Sequence, residues 1–382
     1  MKSLFALLVL AALLMAGPLV MARTWKVEQD GTGDWVTIQE AFDAAASGDT
    51  ITIGAGRYSD FQPTPNSTTA IGYINSPMDL TIIGAGNEDV ILGSEVFETD
   101  GIVLSFSSQS SIAVSGVQFA RTQEGIRSYG SLQLSDCIFE ECWVGVGMLS
   151  GEAVVADCAF AAPQPPPAQG TVMSFYVNSV SSILVERCTF VDLQLYLDGV
   201  PEGVVRDCIF NHPTTDLISL NFINSSGVCE GNITDSWVNV RGESEVTFRG
   251  NEFLTGLSSQ NLRVSAVGAT VEVFDNVFHG ATYSSIYLLS EATLVGSGNH
   301  ILNFGSGSHS VRLNGYDDEY GQLVDLRDNY WGTEDEAKID AWIYDSNDEV
   351  GIVTEVWYKP FSSVPLENST KASLGYFKAL FR

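Results

Sequence analysis

Short runs of alternating apolar and polar residues fill the chain between residues 80 and 330. Leu132 and Leu134, Ile183 and Val185, Val246 and Phe248, Val271 and Val273, and Val324 and Leu326 are examples. Period two marks strands with one buried face. Helical spacing, with apolar residues three and four apart over ten or more positions, is not seen in this stretch. Each run leads into one phrase, usually Asp-Cys or Asp-Asn, followed by an aromatic two places on. Copies end at Phe139, Phe160, Phe190, Phe210, Phe253, Phe278 and Trp331, with weaker ones through Asn232-Ile233 and Asn299-His300-Ile301.

The Cys or Asn of the phrase falls at 137, 158, 188, 208, 232, 251, 276, 299 and 329. Spacing is constant inside the phrase and variable outside it, as for fixed strands joined by variable loops. A repeat of about 22 residues holds three short strands, and stacked copies bury one continuous core. The predicted fold is all-β, a parallel β-helix of about eleven turns and roughly 50 Å at the usual strand spacing. A β-sandwich also spaces strands regularly, but it does not place one residue type at one bend in turn after turn. The aromatics should stack inside, and the Cys and Asn side chains should form an inward ladder.

An open solenoid end exposes unpaired strand edges and needs caps. Residues 37–46 place Ile38, Ala41, Phe42 and Ala45 on one helical face, and Thr37 with Glu40 matches a capping box. Residues 333–344 read as a second helix, followed by a strand from Ile352 to Trp357. Residues 1–22 carry Lys2, an apolar run from Leu4 to Val20 and a small-residue cleavage site, the pattern of a secretory signal peptide. The organisation expected is a signal peptide (1–22), a capped β-helix domain (23–365) and a tail (366–382) with an amphipathic basic pattern, Leu374, Phe377, Leu380 and Phe381 beside Lys371, Lys378 and Arg382.

Charge changes the picture. Against 47 acidic residues stand 18 basic ones, a formal net charge of −29. Such a surface repels nucleic acid and other polyanions unless a local basic groove intervenes. No second apolar stretch is long enough to span a bilayer, and the chain is read as a monomer. Six Cys would suggest disulfides in an exported chain. Four of them, Cys137, Cys158, Cys188 and Cys208, share the ladder position, where stacked strands hold Cβ atoms wider apart than a relaxed disulfide wants. They are expected as buried free thiols. The four His (212, 279, 300, 309) are scattered and read as surface or loop residues. Residues 59–77 and the Pro-rich 161–169 read as loops, and Asn66, Asn224, Asn232 and Asn368 sit in glycosylation sequons, Asn232 pointing inward.

Asp30-Gly-Thr-Gly-Asp-Trp-Val-Thr-Ile-Gln-Glu-Ala, then Gly48-Asp-Thr-Ile-Thr-Ile and Gly54-Ala-Gly-Arg-Tyr58, resemble the opening of the pectin lyase-like superfamily. Asp328-Asn-Tyr-Trp-Gly332, Ile343-Tyr-Asp-Ser-Asn-Asp348 and Tyr358-Lys-Pro360 are similar to the close of secreted bacterial β-helix proteins. The resemblance covers nearly all of residues 24–362 and implies a right-handed parallel β-helix. It implies no single chemistry, because this superfamily hosts lyases, hydrolases, esterases, epimerases and adhesins. The pectin methylesterase segment Gly-x-x-Asp-Phe-Ile-Phe-Gly is not found. The only His-Gly, His279-Gly280, lacks the aspartate cluster of a polygalacturonase. The carboxylates that a calcium-dependent pectate lyase groups on one outer strand face are not found either.

In this fold the groove usually lies on the sheet preceding the ladder strands. Alternation there puts Ile126, Leu195, Leu197, Val238, Val240, Val311 and Leu313 inside. It puts Arg127, Tyr129, Tyr176, Asn178, Tyr196, Asp198, Ser219, Asn221, Asn239, Arg241, Arg263, Tyr287, Arg312 and Asn314 outside. Tyr176, Asn178, Tyr196, Asn221, Asn239 and Tyr287 are the glycan-binding candidates, since aromatic faces stack on sugar rings and amides bind hydroxyls. The stripe holds one carboxylate, whereas glycoside hydrolysis usually needs two. Asp198 and Arg241, two turns apart, are the catalytic candidates as an acid/base pair for a lyase, with a plain ion pair as the non-catalytic alternative. No cofactor is expected, with calcium the one metal considered, at Asp345, Asn347 and Asp348, where oxygen ligands alternate. The function expected is an exported, non-catalytic scaffold binding a polysaccharide, a cell-surface glycan or a protein along its side. The alternative is a polysaccharide lyase.

Overall fold

The computed structural model describes residues 21–365, apart from 66–67, 164–172, 214–217, 257, 266, 290–291, 304, 306 and 315–322. All but the last two residues of the expected signal peptide (1–22), the tail from 366, most of the Pro-rich insertion, and the sequons at Asn66 and Asn368 lie outside the described residues. The chain winds as a right-handed parallel β-helix with three faces. The first face is a sheet of fourteen parallel strands, from Thr24–Val27 to Val356–Trp357. Neighbouring strands pair in parallel and in register, Leu132 with Ile112 and Ala153 for example. At about 4.8 Å per strand the sheet is roughly 60 Å long. The repeat phrase suggested about eleven turns, and the additional strands lie towards the caps, where the phrase is not written.

Every ladder Cys or Asn follows a residue in the left-handed backbone region. Asp136, Asp157, Asp207, Asp275 and Asp328 have φ between 52° and 59°, and Gly231, Gly250 and Gly298 between 62° and 75°. Only Gly, Asp and Asn enter that region at low cost. The recurrent Asp or Gly of the phrase is therefore the bend itself. Arg187 (φ 52°) is the exception, and it is held by ion pairs to Asp157 and Glu186.

The bend turns the next residues inward. Cys137, Cys158, Cys188 and Cys208 are buried and free, as are Cys142 and Cys229. Burial pushes the Cys142 thiol up to about 12. From Asn232 onward amides replace thiols. Asn232 Nδ2 donates to Asn251 Oδ1 (3.0 Å), Asn251 to Asn276 (2.9 Å), Asn276 to Asn299 (2.9 Å) and Asn299 to Asn329 (2.8 Å). Each Oδ1 also accepts the backbone N–H one turn back, and each Nδ2 reaches a carbonyl such as Val205 O or Cys229 O. Two positions on, Phe119, Phe139, Phe160, Phe190 and Phe210 stack with centroids 4.6 to 5.0 Å apart.

Helix α1 (Ile38–Ala44) covers the first turn with Ile38, Ala41 and Phe42 buried, and its capping box between Thr37 and Glu40 is formed. Helix α2 (Glu336–Trp342) is shorter than the sequence suggested and buries Ile339. The expected strand from Ile352 is confined to Val356–Trp357. No helix among the described residues is long and apolar enough to cross a membrane.

Candidate functional site

The third face supplies the candidate site. Its strands run from Val144–Met148 through Met173–Asn178, Gln194–Asp198, Ile218–Ile223, Trp237–Arg241, Gln260–Ser265 and Ser284–Leu289 to His309–Asn314 and Ile343–Tyr344. Leu195, Leu197, Val240, Leu262, Val264, Val311 and Leu313 are fully buried, which sends their neighbours outward. Parallel in-register pairing then stacks one outward residue per turn. The column reads Arg127, Gly147, Tyr176, Tyr196, Asn221, Asn239, Arg263, Tyr287, Arg312 and Tyr344. Gly147 leaves room for Glu124, whose Oε1 would lie 2.1 Å from a Cβ there. Glu124 in turn holds Arg127 at 2.7 Å.

Within the column the predicted binders largely partner one another. Tyr176 and Tyr196 stack at 5.5 Å. Asn239 Nδ2 donates to Asn221 Oδ1 (2.9 Å), and Ser265 Oγ donates to Asn239 Oδ1 (3.2 Å). Both amides are only 3% exposed. Asn178 Nδ2 donates to Tyr176 Oη (3.3 Å), and Asn314 Nδ2 donates to Tyr287 Oη (2.8 Å). Tyr176 and Tyr196 therefore offer ring edges, while Tyr287, expected as an outward binder, is covered at 8% exposure, and Asn221 and Asn239 offer little free hydrogen-bonding capacity.

A second column holds Asn178, Asp198, Ile223 and Arg241. Ile223 separates Asp198 from Arg241, so they stand two strand spacings apart, about 10 Å. No ion pair joins them among the described residues, contrary to the plain ion pair expected from the sequence. Burial, then the charge of Asp198, raises the Tyr196 hydroxyl above its usual value.

Two expectations change. Ser219 is buried, not outward, because the register shifts between Ile218 and Leu220, a bulge that adds a residue and turns it in. Its Oγ bonds Thr234 Oγ1 (2.8 Å), which fills a gap in the Phe stack between Phe210 and Phe253. His212 and His300 are buried at 2% and 6% exposure, not surface residues. His212 Nε2 meets the Leu193 carbonyl at 3.0 Å.

At the far end, Asp345 uses both carboxylate oxygens on backbone N–H groups, of Asn347 (2.9 Å) and Val356 (2.9 Å). Asp348 accepts from the Asp345 backbone (3.2 Å). This is the chemistry of a turn, with its oxygens committed. No group of three or more His, Cys, Asp or Glu among the described residues is arranged to hold a metal. A cleft of about 820 Å³ beside this turn is lined by Arg327, Asp340, Glu355, Trp357 and Lys359 among others.

The residues that sequence reasoning undervalued are cationic. Arg263 lies over the Trp237 ring (5.4 Å), and Arg312 lies between Tyr344 (4.1 Å) and Tyr283 (5.0 Å). Burial, then the charge of Arg312, holds His309 below its usual value, and its ring meets Tyr344 edge-on at 5.3 Å. Tyr344 lay in the stretch 333–344 read as a helix, but the helix ends at Trp342 and Ile343–Tyr344 is a strand. Trp237 and Tyr283 begin strands or loops, where alternation says nothing about neighbours.

No protein-family model and no curated protein matches the chain. Among solved structures, it is similar to a pectin methylesterase from carrot, at 11% identity over 78% of this chain and 89% of that one, with a TM-score of 0.27. A likeness that low carries no argument. The fold stands on its own strand pairing.

Proposed function

We propose that the protein is an exported β-helix scaffold that binds glycan along its third face without transforming it. The observation that carries this is the column from Tyr176 to Tyr344, which lines up aromatic and guanidinium groups along a rigid rod, with the amides of Asn221 and Asn239 bracing it from beneath. Rings and planar polar groups at a fixed repeat suit a linear polymer laid along the axis. Export rests on the signal-peptide pattern of residues 1–22. The column and its neighbour offer one carboxylate, Asp198, held apart from Arg241, which is poor equipment for hydrolysis.

A glycan array combined with an absorbance assay for unsaturated product on uronate polymers tests this. Binding without product is expected. Loss of turnover in Asp198→Asn, with affinity kept, would overturn the scaffold reading in favour of a lyase.

A further inference from the structure

The third face divides by charge. Its N-terminal part presents Tyr176, Tyr196, Asn221 and Asn239. Its C-terminal part presents Arg263, Tyr287, Arg312 and Tyr344, with Arg241 in the next column. In so acidic a chain the described cations are mostly spoken for. Of fourteen described Lys and Arg residues, nine make ion pairs. Of the remaining five, Arg241, Arg263 and Arg312 all stand on this face, and Arg57 already bonds the carbonyls of Gly93 and Ser94.

Two further observations mark these guanidiniums as receptors. The Nε atoms of Arg263 and Arg312 are buried without a hydrogen-bond partner. A charge partly withdrawn from water with no ion pair among the described residues is costly; both side chains are half-buried, and an anion meeting their terminal N–H groups, rather than the covered Nε, relieves that cost. The rings of Trp237, Tyr283 and Tyr344 cover the flat faces and fix the planes, leaving the N–H edges as the recognition surface. Asp348 and Glu349 lie nearby, but Glu349 bonds the Tyr344 hydroxyl and neither pairs with Arg312.

Register sets the spacing. Arg263 and Arg312 share one column with Tyr287 between them, so the charges repeat every second turn, about 10 Å. That is the length of a disaccharide in an extended chain. We infer that this segment recognises an acidic polysaccharide carrying one anionic group on every second sugar. An acidic peptide is the weaker fit, because strand pairing already uses the backbone edges a peptide would add to. The inference rests on the glycan-binding reading and narrows its ligand.

The test is calorimetric titration of the full chain with four polymers of matched length. Hyaluronate carries one carboxylate per disaccharide, polygalacturonate one per sugar, galactan none, and polyglutamate is an acidic peptide. Hyaluronate should bind most tightly and weaken as salt rises. Arg263→Gln and Arg312→Gln should each lose about tenfold in affinity. Arg187→Gln, on another face, should lose none. Unchanged melts would show that the variants fold. Polygalacturonate binding as well as hyaluronate would overturn the spacing. Polyglutamate matching hyaluronate would overturn the sugar. Galactan binding, indifferent to the arginine changes, would overturn the anion while leaving the glycan reading intact. No binding to any of the four, with an empty array, would sink both.

Discussion

The asparagine ladder inside the rod and the arginine-tyrosine column outside it are built by the same geometry. Each places one side chain per turn at a strand spacing. Inside, every amide from Asn232 to Asn299 spends its donors and its oxygen on neighbouring turns, and Asn329 closes the series on Gly296 O and Leu326 O. Outside, Arg263 and Arg312 are half-buried guanidiniums with no ion-pair partner among the described residues. A repeat that closes on itself stabilises; a repeat left open is available to a ligand. The difference lies in satisfaction rather than in polarity, since both columns are polar.

Breaking the inner side should cost most. Phe253→Ala removes a ring stacked on Phe278 at 4.5 Å, and a rigid solenoid cannot collapse around the cavity, so about 3 to 5 kcal/mol is expected. A denaturant melt losing less than about 1 kcal/mol would show that the aromatic column is not what holds the rod.

Next comes the ladder. Asn276→Ala strands the Asn251 backbone N–H and side-chain donor together, at about 2 to 4 kcal/mol for two buried groups. If the melt barely moves, closure of the repeat is not the source of its stability.

A smaller loss, about 1 kcal/mol, is expected from Thr37→Ala, which opens the capping box of α1 at the rod's end. Thermal melts compared with the ladder variant would rank end against interior.

The outer column should be nearly silent in the same melts. Tyr196→Ala is expected to shift stability by less than about 0.5 kcal/mol, while weakening binding to any array-identified glycan by about 1 to 2 kcal/mol. A large stability loss with no change in binding would erase the distinction between the two columns.

Much of the fold was written locally. Alternation identified strands, the recurring phrase marked the bend, and the structure explains the phrase: Asp or Gly for a left-handed residue, Cys or Asn turned inward, an aromatic to stack. Thr37 and Glu40 announced the first cap. Alternation also named most of the outer residues correctly, because a strand reverses direction at each position. It failed at Ser219, where a bulge inserts one residue, and a bulge has no signature in a two-residue period.

What the sequence alone determined, then, is which residues point in or out wherever the strand is unbulged, since that depends on a neighbour one position away. Which outward residues stand together was decided only by the tertiary structure. Arg263, Tyr287 and Arg312 are separated by 24 and 25 positions and meet because loops of unequal length return each turn to the same register. The same holds for Asp198 and Arg241, whose separation is set by Ile223 on the turn between them. Pairing between distant strands is a property of the stack, so the charge pattern on its side becomes visible only once the stack is built.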